Sequence, residues 1–174
     1  LSNPYYPCYP NIIRFVDGIP VFVTVSEEEG FQYLPEMIEE KLNPKVKGIM
    51  INSPSNPTGN VMPPERMKEI AKFSPFIISD EIYHGLVYEG EVHSILEFTD
   101  HAFIINGFSK LYAMTGWRLG YLIAPKEFIR PMQKIQQNLF ISASSFTQWG
   151  ALVGLKEAEN DIQKMRETYD LRRR

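Results

Sequence analysis

Short apolar runs alternate along this chain with longer stretches whose apolar residues recur at helical spacing. Three of the runs consist almost wholly of apolar residues: 48–52, 76–79 and 102–105. Continuous apolar runs separated by helix-sized intervals are typical of a parallel sheet covered by helices on both faces. The sequence therefore predicts an α/β fold built on a mostly parallel sheet, with further strands over 20–25 and 117–124.

The intervals between these runs predict helices. Apolar residues keep helical spacing from Leu34 to Leu42, and the paired prolines at 63 and 64 suit the first turn of another helix. A segment rich in proline and tyrosine, residues 4–10, predicts a rigid turn. The helices predicted in this way cover residues 11–15, 34–42, 63–73, 125–138 and 147–159, followed by a charged helix over 157–174 with nothing to dock against.

Side chains that can take part in catalysis or ligand binding follow three of the predicted strands. The first strand leads to Asn56, and the second leads to Asp80 and Tyr83. The third leads to Lys110, and Arg118 comes near the start of the next strand. A lysine on an open loop is most often a solvated surface charge. Because ligands bind outside the carboxyl ends of strands in open α/β sheets, the convergence of these groups on one rim instead favours a site.

Composition narrows the class of protein. The 174 residues are 44% hydrophobic with a net charge of -3, which is typical of a soluble globular domain and gives no basic footprint for nucleic acid. No apolar run approaches the roughly 20 residues of a membrane helix, and no signal peptide is evident. Cys8 stands alone, and the spacings of the three histidines match no common zinc pattern. We therefore expect a cytoplasmic protein without a metal site.

The two ends of the chain predict a fragment of a longer protein. Leu1 is not an initiator methionine, and the residues after it resemble the end of a strand already in progress. The other end stops inside a charged helix at Arg174.

The residues at the rim suit one kind of cofactor chemistry. A lysine amine forms Schiff bases with carbonyl compounds and with pyridoxal phosphate. That cofactor needs a carboxylate against its ring nitrogen, hydrogen-bond donors to its phenolate, a cation for its phosphate and a flat group over the ring. Asp80 is such a carboxylate, and Tyr83 and Asn56 are such donors. Arg118 is a cation, and one of Tyr5, Tyr6 and Tyr9 could be the flat group.

Three motifs resemble the class I aminotransferases, the aspartate aminotransferase-like group of fold-type I pyridoxal-phosphate enzymes. They are Asn56-Pro-Thr-Gly59, Asp80-Glu-Ile-Tyr83, and Phe108-Ser-Lys110 with Gly116-Trp-Arg118. Their internal intervals also fit the family. The resemblance covers the whole chain, and the three motifs together are specific where any single one is not.

The resemblance implies a role for each residue of the motifs. Lys110 would form the Schiff base and move the proton between the substrate α-carbon and the cofactor. Asp80 would pair with the pyridine nitrogen, while Tyr83 and Asn56 would hydrogen-bond the ring oxygen. The remaining positions would bind the cofactor: Arg118 and Ser109 at the phosphate, and Tyr6, preferred to Tyr5, stacked on the ring.

The resemblance also implies what surrounds this chain. Residues 1–160 would form part of the large, cofactor-binding domain, and residues 161–174 would begin the helix that leads to an absent small domain. Members of the family are homodimers, and a strand from the missing amino-terminal part would cover the edge of the strand predicted from Trp117. One position departs from the pattern, because Gly107 stands where many members have a phosphate-binding serine.

The function implied is transfer of an amino group from an L-amino acid, with aspartate as one candidate, to a 2-oxo acid. The fragment alone is expected to show little turnover. Two alternatives remain open at this point. A lyase or synthase acting on amino acids could use the same lysine and aspartate, since fold does not determine reaction. The chain could also be a truncated, non-catalytic relic or interaction module.

Overall fold

The computed structural model describes residues 1–174 and divides into two compact units. Unit 1 comprises Leu1–Glu81 and Val92–Ile104, and unit 2 comprises Ile82–Glu91 and Ile105–Arg174. The strands are β1 (Ser2–Asn3), β2 (Val23–Thr24), β3 (Gly48–Asn52), β4 (Phe76–Asp80), β5 (Ala102–Gly107) and β6 (Gly120–Ile123). The helices are α1 (Cys8–Phe15), α2 (Pro35–Glu39), α3 (Pro64–Ile70), α4 (Lys126–Leu139), α5 (Ser145–Glu157) and α6 (Glu159–Arg173).

The predicted α/β fold is confirmed. The main sheet has the strand order β3-β4-β5-β6, and β1 pairs with β2 in a separate two-stranded sheet. β3 and β4 are parallel, with Gly48 opposite Phe76 and Asn52 opposite Asp80. This register brings the polar residues that end the two strands side by side.

The core of unit 1 forms around β3, β4 and α3. Ile49 and Ile51 on β3 alternate with half-buried neighbours, so one face of the strand enters the core. Met67 and Ile70, three residues apart on α3, are fully buried in the same cluster. Residues three apart lie on one helix face, and burying each large aliphatic side chain contributes about 1.5–3 kcal/mol. This packing holds the carboxyl ends of the strands in place.

Unit 2 has a smaller buried core. Phe108, Met114 and Ala151 are buried together, and Tyr112 and Leu119 pack against them. The ring of Phe108 lies 5.2 Å from that of Tyr112, between centroids. Because Phe108 lies two residues before Lys110, this cluster anchors the segment that carries the predicted lysine. None of the helices in either unit combines the length and apolar character that a membrane crossing requires.

The prediction of a strand over 117–124 is wrong at its start. Thr115–Trp117 forms a short 3-10 turn, and Arg118 adopts left-handed backbone angles of φ 56° and ψ 48°. Such angles are uncommon for a residue with a side chain and end any extended run. The strand therefore begins only at Gly120.

Two other expectations need correction. The strand predicted over 20–25 is only two residues long, Val23–Thr24. The first helix begins at Cys8 rather than at Asn11, because Pro10 lies in its first turn, where a missing N–H breaks no helical hydrogen bond.

The charged carboxyl-terminal helix does have docking partners within unit 2. Arg166 donates a hydrogen bond of 2.8 Å to the carbonyl of Val87. Arg173 pairs with Glu89, and its guanidinium lies 5.1 Å from the ring centroid of Tyr88. The expectation that α6 has nothing to dock against is therefore wrong.

Candidate active site

Asp80 ends β4 and is held at both its side chain and its backbone. The hydroxyl of Tyr9, on α1, donates to Asp80 Oδ2 over 2.6 Å. The amide of Asn52 donates to the Asp80 carbonyl over 2.9 Å, and the backbone N–H of Ser53 donates to the same carbonyl over 3.2 Å. The carboxylate therefore has a defined orientation at the end of the strand.

Asn52 also places the loop that carries Asn56. Its Oδ1 accepts a hydrogen bond of 2.7 Å from the backbone N–H of Asn56. The loop closes through Gly59, whose N–H donates to the Ser55 carbonyl over 2.8 Å, and Gly59 has a φ of +75° that favours glycine. One amide side chain thus connects the end of β4 with the Asn-Pro-Thr-Gly loop.

The tyrosines of the first segment differ in their surroundings. Tyr5 stacks on Phe22, with ring centroids 5.1 Å apart and planes 28° from parallel. Tyr6 meets the ring of Tyr9 edge-on at 5.3 Å and is 39% exposed. The face of Tyr5 is therefore engaged by another ring, whereas much of Tyr6 is accessible.

A folded-back loop in unit 2 carries Lys110. The N–H of Met114 donates to the carbonyl of Phe108 over 3.1 Å, and the hydroxyl of Thr115 donates to the carbonyl of Ser109 over 3.0 Å. Lys110 Nζ lies over the ring of Tyr83, 5.6 Å from its centroid. The structure thus brings together two of the three predicted catalytic residues, the amine and the phenol, within one unit.

Arg118 closes the same loop. One of its guanidinium nitrogens donates to the carbonyl of Thr115 over 2.9 Å, and its side chain is exposed. Neither Arg118 nor Lys110 forms an ion pair with a carboxylate. A single loop therefore presents two cations that lack an anionic partner in the protein.

Gly107 marks a close approach between the end of β5 and the start of β6. A Cβ added at Gly107 would lie 3.0 Å from the Cα of Gly120 and 3.0 Å from the carbonyl oxygen of Leu119. Separations this short leave almost no room for a side chain. The glycine at this position, where many members of the resembling family have serine, therefore has a packing reason.

Glu81 is a buried carboxylate next to Asp80 that the sequence did not point out. It is 3% exposed, and its Oε1 accepts hydrogen bonds from the hydroxyls of Ser79 and Ser94, each at 3.0 Å. The N–H of Ile95 donates to the same oxygen over 3.1 Å. Glu81 thereby ties the end of β4 to the short 3-10 helix Ile95–Glu97.

Two surface clefts contain none of the predicted site residues. The first, of about 450 Å³, lies in unit 1 and includes Lys47, Phe76 and His101 in its lining. The second, of about 580 Å³, lies in unit 2 and includes Arg130 and Gln133. The predicted residues therefore stand outside both clefts.

The donor set can be compared with what pyridoxal phosphate requires. The cofactor carries an aldehyde, a phenolate, a basic ring nitrogen and a phosphate. Lys110 and Arg118 supply an amine and a guanidinium without carboxylate partners, Asp80 supplies an oriented carboxylate, and Tyr6 supplies an accessible ring. The types of these residues, the lack of carboxylate partners at Lys110 and Arg118, and the exposure of Tyr6 therefore fit the cofactor.

Comparison with known proteins identifies the family of this chain. The chain belongs to the aminotransferase class I and II family, whose sequence profile matches residues 1–174. The prediction of the family is thereby confirmed.

Individual relatives are similar over nearly the whole chain. The (5-formylfuran-3-yl)methyl phosphate transaminase of Methanocaldococcus jannaschii is 49% identical, over 100% of this chain and 46% of that protein. The aspartate aminotransferase of Sulfolobus acidocaldarius is 39% identical, over 99% of this chain and 45% of that protein. The solved structure of aspartate aminotransferase from Thermus thermophilus with maleate matches with a TM-score of 0.96 at 37% identity, covering 99% of this chain and 47% of that chain. The chain thus spans about half the length of these relatives.

Proposed function

We propose that the whole protein containing this chain is a pyridoxal 5'-phosphate-dependent aminotransferase. It transfers an amino group from an L-amino acid to a 2-oxo acid. The proposal rests on the loop that carries Lys110 and Arg118. Lys110 lies over the ring of Tyr83, and neither Lys110 nor Arg118 has a carboxylate partner. Membership of the class I and II family supports it, as do relatives that are named transaminases and aspartate aminotransferases.

Lys110 is proposed as the residue that bonds the cofactor and carries the transferred proton. When bound, pyridoxal phosphate supplies an electron sink for the charge that develops at the substrate α-carbon. Lys110 Nζ takes the α-proton as a general base and returns it as a general acid. The cation–π contact with Tyr83 keeps the lysine head group in one region of the loop.

Asp80 is proposed to hold a proton on the ring nitrogen. A carboxylate performs this task only if it keeps its position. The 2.6 Å hydrogen bond from Tyr9 supports this, since it limits the rotation of the carboxylate. Tyr9 is therefore proposed as a positioning residue for Asp80.

The remaining residues are proposed to bind and orient the cofactor. Tyr83 and Asn56 donate to the ring oxygen, and Arg118 with Ser109 binds the phosphate. The planar guanidinium of Arg118 suits a phosphate because it can donate two parallel hydrogen bonds. Tyr6 is proposed to cover one ring face, which its exposure supports and which the stacking of Tyr5 on Phe22 disfavours for Tyr5.

We also propose how this chain contributes to the whole protein. Residues 1–160 belong to the cofactor-binding large domain, and residues 161–174 begin the helix towards a small domain. The hydrogen bond from Arg166 to the Val87 carbonyl supports a connecting role, because it fixes this helix to the cofactor-binding domain. The whole protein is proposed to be a cytoplasmic homodimer.

The test uses the whole protein incubated with pyridoxal phosphate. Borohydride reduction followed by peptide mapping should place the cofactor on Lys110, and Lys110→Ala should abolish the visible absorption band of the lysine-bound cofactor. Lys126→Ala, which removes an exposed lysine at the start of α4, is the matched control and should leave the band unchanged.

Product analysis then tests the reaction class. An amino acid and a 2-oxo acid supplied together should yield a new amino acid in equal amount to the donor consumed. Release of ammonia without a new amino acid would indicate the lyase alternative. A band that persists in Lys110→Ala would remove the central assignment, and failure of the whole protein to bind cofactor would favour the non-catalytic alternative.

A further inference from the structure

The side chain of Leu111, next to the predicted lysine, lies where a side chain at Gly85 would be. A Cβ added at Gly85 would lie 2.7 and 2.8 Å from the two Cδ atoms of Leu111, and 3.3 Å from its Cγ. Real Cβ atoms essentially never approach a neighbour below 3.0 Å. The side chain of Leu111 therefore fills the space that any other residue at position 85 would occupy.

This contact joins the two segments that carry Tyr83 and Lys110. Gly85 belongs to the turn closed by a 3.0 Å hydrogen bond from the Leu86 N–H to the Tyr83 carbonyl. Leu111 follows Lys110, whose own carbonyl accepts a 3.1 Å hydrogen bond from Ala113 within the loop. Each segment is thus braced locally, and Gly85 against Leu111 is a packing contact between them.

The backbone at Gly85 makes the fit specific to glycine. Its φ is +85°, a left-handed conformation that residues with side chains adopt at a cost. Gly90, in the same segment, has a similar φ of +77°, but nothing lies within 4 Å of a Cβ built there. The two glycines share the backbone requirement and differ in the contact, so they form a matched pair.

We propose that the Gly85–Leu111 contact is a positioning device that sets how far Lys110 Nζ lies from the ring of Tyr83. A methyl group at position 85 meets the Cδ and Cγ atoms of Leu111, so the Leu111 side chain must change its packing, and Leu111 is bonded directly to the residue that carries the amine. A displacement of about 1 Å at a reacting group can lower a rate by as much as a hundredfold. The catalytic meaning of this contact rests on the proposed function, whereas its effect on the environment of Lys110 does not.

Four variants of the whole protein test the proposal: Gly85→Ala, Gly90→Ala, Leu111→Ala and the double variant Gly85→Ala/Leu111→Ala. The first readout needs no cofactor: the rate at which an acylating reagent modifies Lys110, followed by mass spectrometry across a pH series. The second is the pH midpoint of the visible band of the lysine-bound cofactor, measured with kcat and KM.

Gly85→Ala should change the Lys110 modification profile, shift the pH midpoint of the band and lower kcat about tenfold or more, with KM changed less. Gly90→Ala should match the unsubstituted protein in all of these. The double variant should recover most of the loss, because truncating Leu111 makes room for the added methyl group. Leu111→Ala alone should also change the modification profile of Lys110. Because Gly85 is kept in this variant, backbone strain at position 85 does not account for the change.

The outcomes separate this inference from the proposed function. If Gly85→Ala behaves like Gly90→Ala, or if the double variant is no better than Gly85→Ala, the positioning contact is refuted. If Gly85→Ala does not fold, an unchanged Lys110 modification profile in Leu111→Ala refutes it equally. If the unsubstituted protein shows no cofactor band, the proposed function fails, while the modification rates still decide the role of the contact.

Discussion

Replacing Glu81 by alanine removes one oxygen that accepts three hydrogen bonds in a buried place. The donors are the hydroxyls of Ser79 and Ser94 and the backbone N–H of Ile95. A hydrogen bond to a charged group contributes about 1.5–3 kcal/mol, and a buried donor left unsatisfied costs about 1–3 kcal/mol. The two serine hydroxyls can rotate towards other acceptors, so the terms do not simply add. We therefore expect a loss of about 3–5 kcal/mol in the free energy of unfolding.

Urea unfolding of the whole protein, followed by circular dichroism, measures this loss. Glu81→Gln is the informative partner variant, because it keeps Oε1 as an acceptor and should lose much less stability than Glu81→Ala. Glu28→Ala removes an exposed glutamate from a turn and should stay within about 0.5 kcal/mol of the unsubstituted protein. A cost below about 1 kcal/mol for Glu81→Ala would show that the hydrogen bonds at Oε1 do not hold the end of β4.

Two further predictions concern tyrosine hydroxyls. Tyr9→Phe removes the hydrogen bond to Asp80 and should lower the free energy of unfolding by about 1.5–3 kcal/mol, whereas Tyr5→Phe should be nearly neutral in the same urea titration; equal effects would contradict the role assigned to Tyr9. Burial raises the pKa of Tyr33 above its ordinary value of 10, so its contribution to stability is complete below pH 10 and is lost as the pH rises towards the folded-state pKa. Tyr33→Phe should therefore lose about 1 kcal/mol at pH 7, where the Met50 carbonyl loses its donor, and should show a shallower loss of stability above pH 10. Unfolding midpoints at pH 7, 9 and 11 measure this, and an unchanged alkaline slope would contradict it.

The sequence predicted the central strands well because their apolar runs are continuous. Residues 48–52 match β3, and the predictions over 76–79 and 102–105 fall short of β4 and β5 by one or two residues. Alternate residues of each run are buried in the structure and most of the others are half-buried, which is why apolar residues occupy nearly every position. The positions of the apolar runs were therefore enough to predict the central strands of the sheet.

The region around Arg118 shows why other parts were predicted poorly. Trp117, Leu119 and the residues after them have the composition of a strand, but the 3-10 turn and the left-handed angles of Arg118 interrupt it. Hydrogen bonds from Thr115 to Ser109 and from Arg118 to Thr115 hold this conformation. Such bonds between backbone carbonyls and side chains leave no periodic trace in a sequence.

The candidate site was predictable where a motif carried it and not where a long-range contact did. Asp80 and Lys110 belong to recognisable motifs, so their chemistry could be proposed directly. Tyr9 was one of three equivalent tyrosines until the fold placed its hydroxyl against Asp80, 71 residues along the chain. Asn52 and Glu81 likewise owe their roles to partners 28 and 13–14 residues away. Only folding creates these pairs.

The tight approach of Gly107 to Gly120 and Leu119 has a consequence for the evolution and engineering of this protein. Introducing serine at position 107, which would recreate the hydroxyl common among its kin, requires the neighbouring strand to move aside by a few tenths of an ångström first. The order of substitutions then matters, because a change that loosens β6 must precede the serine. When position 107 alone is varied in a library of variants, selection for folded protein should favour glycine. When positions 107, 119 and 120 are varied together, serine at position 107 should also be selected.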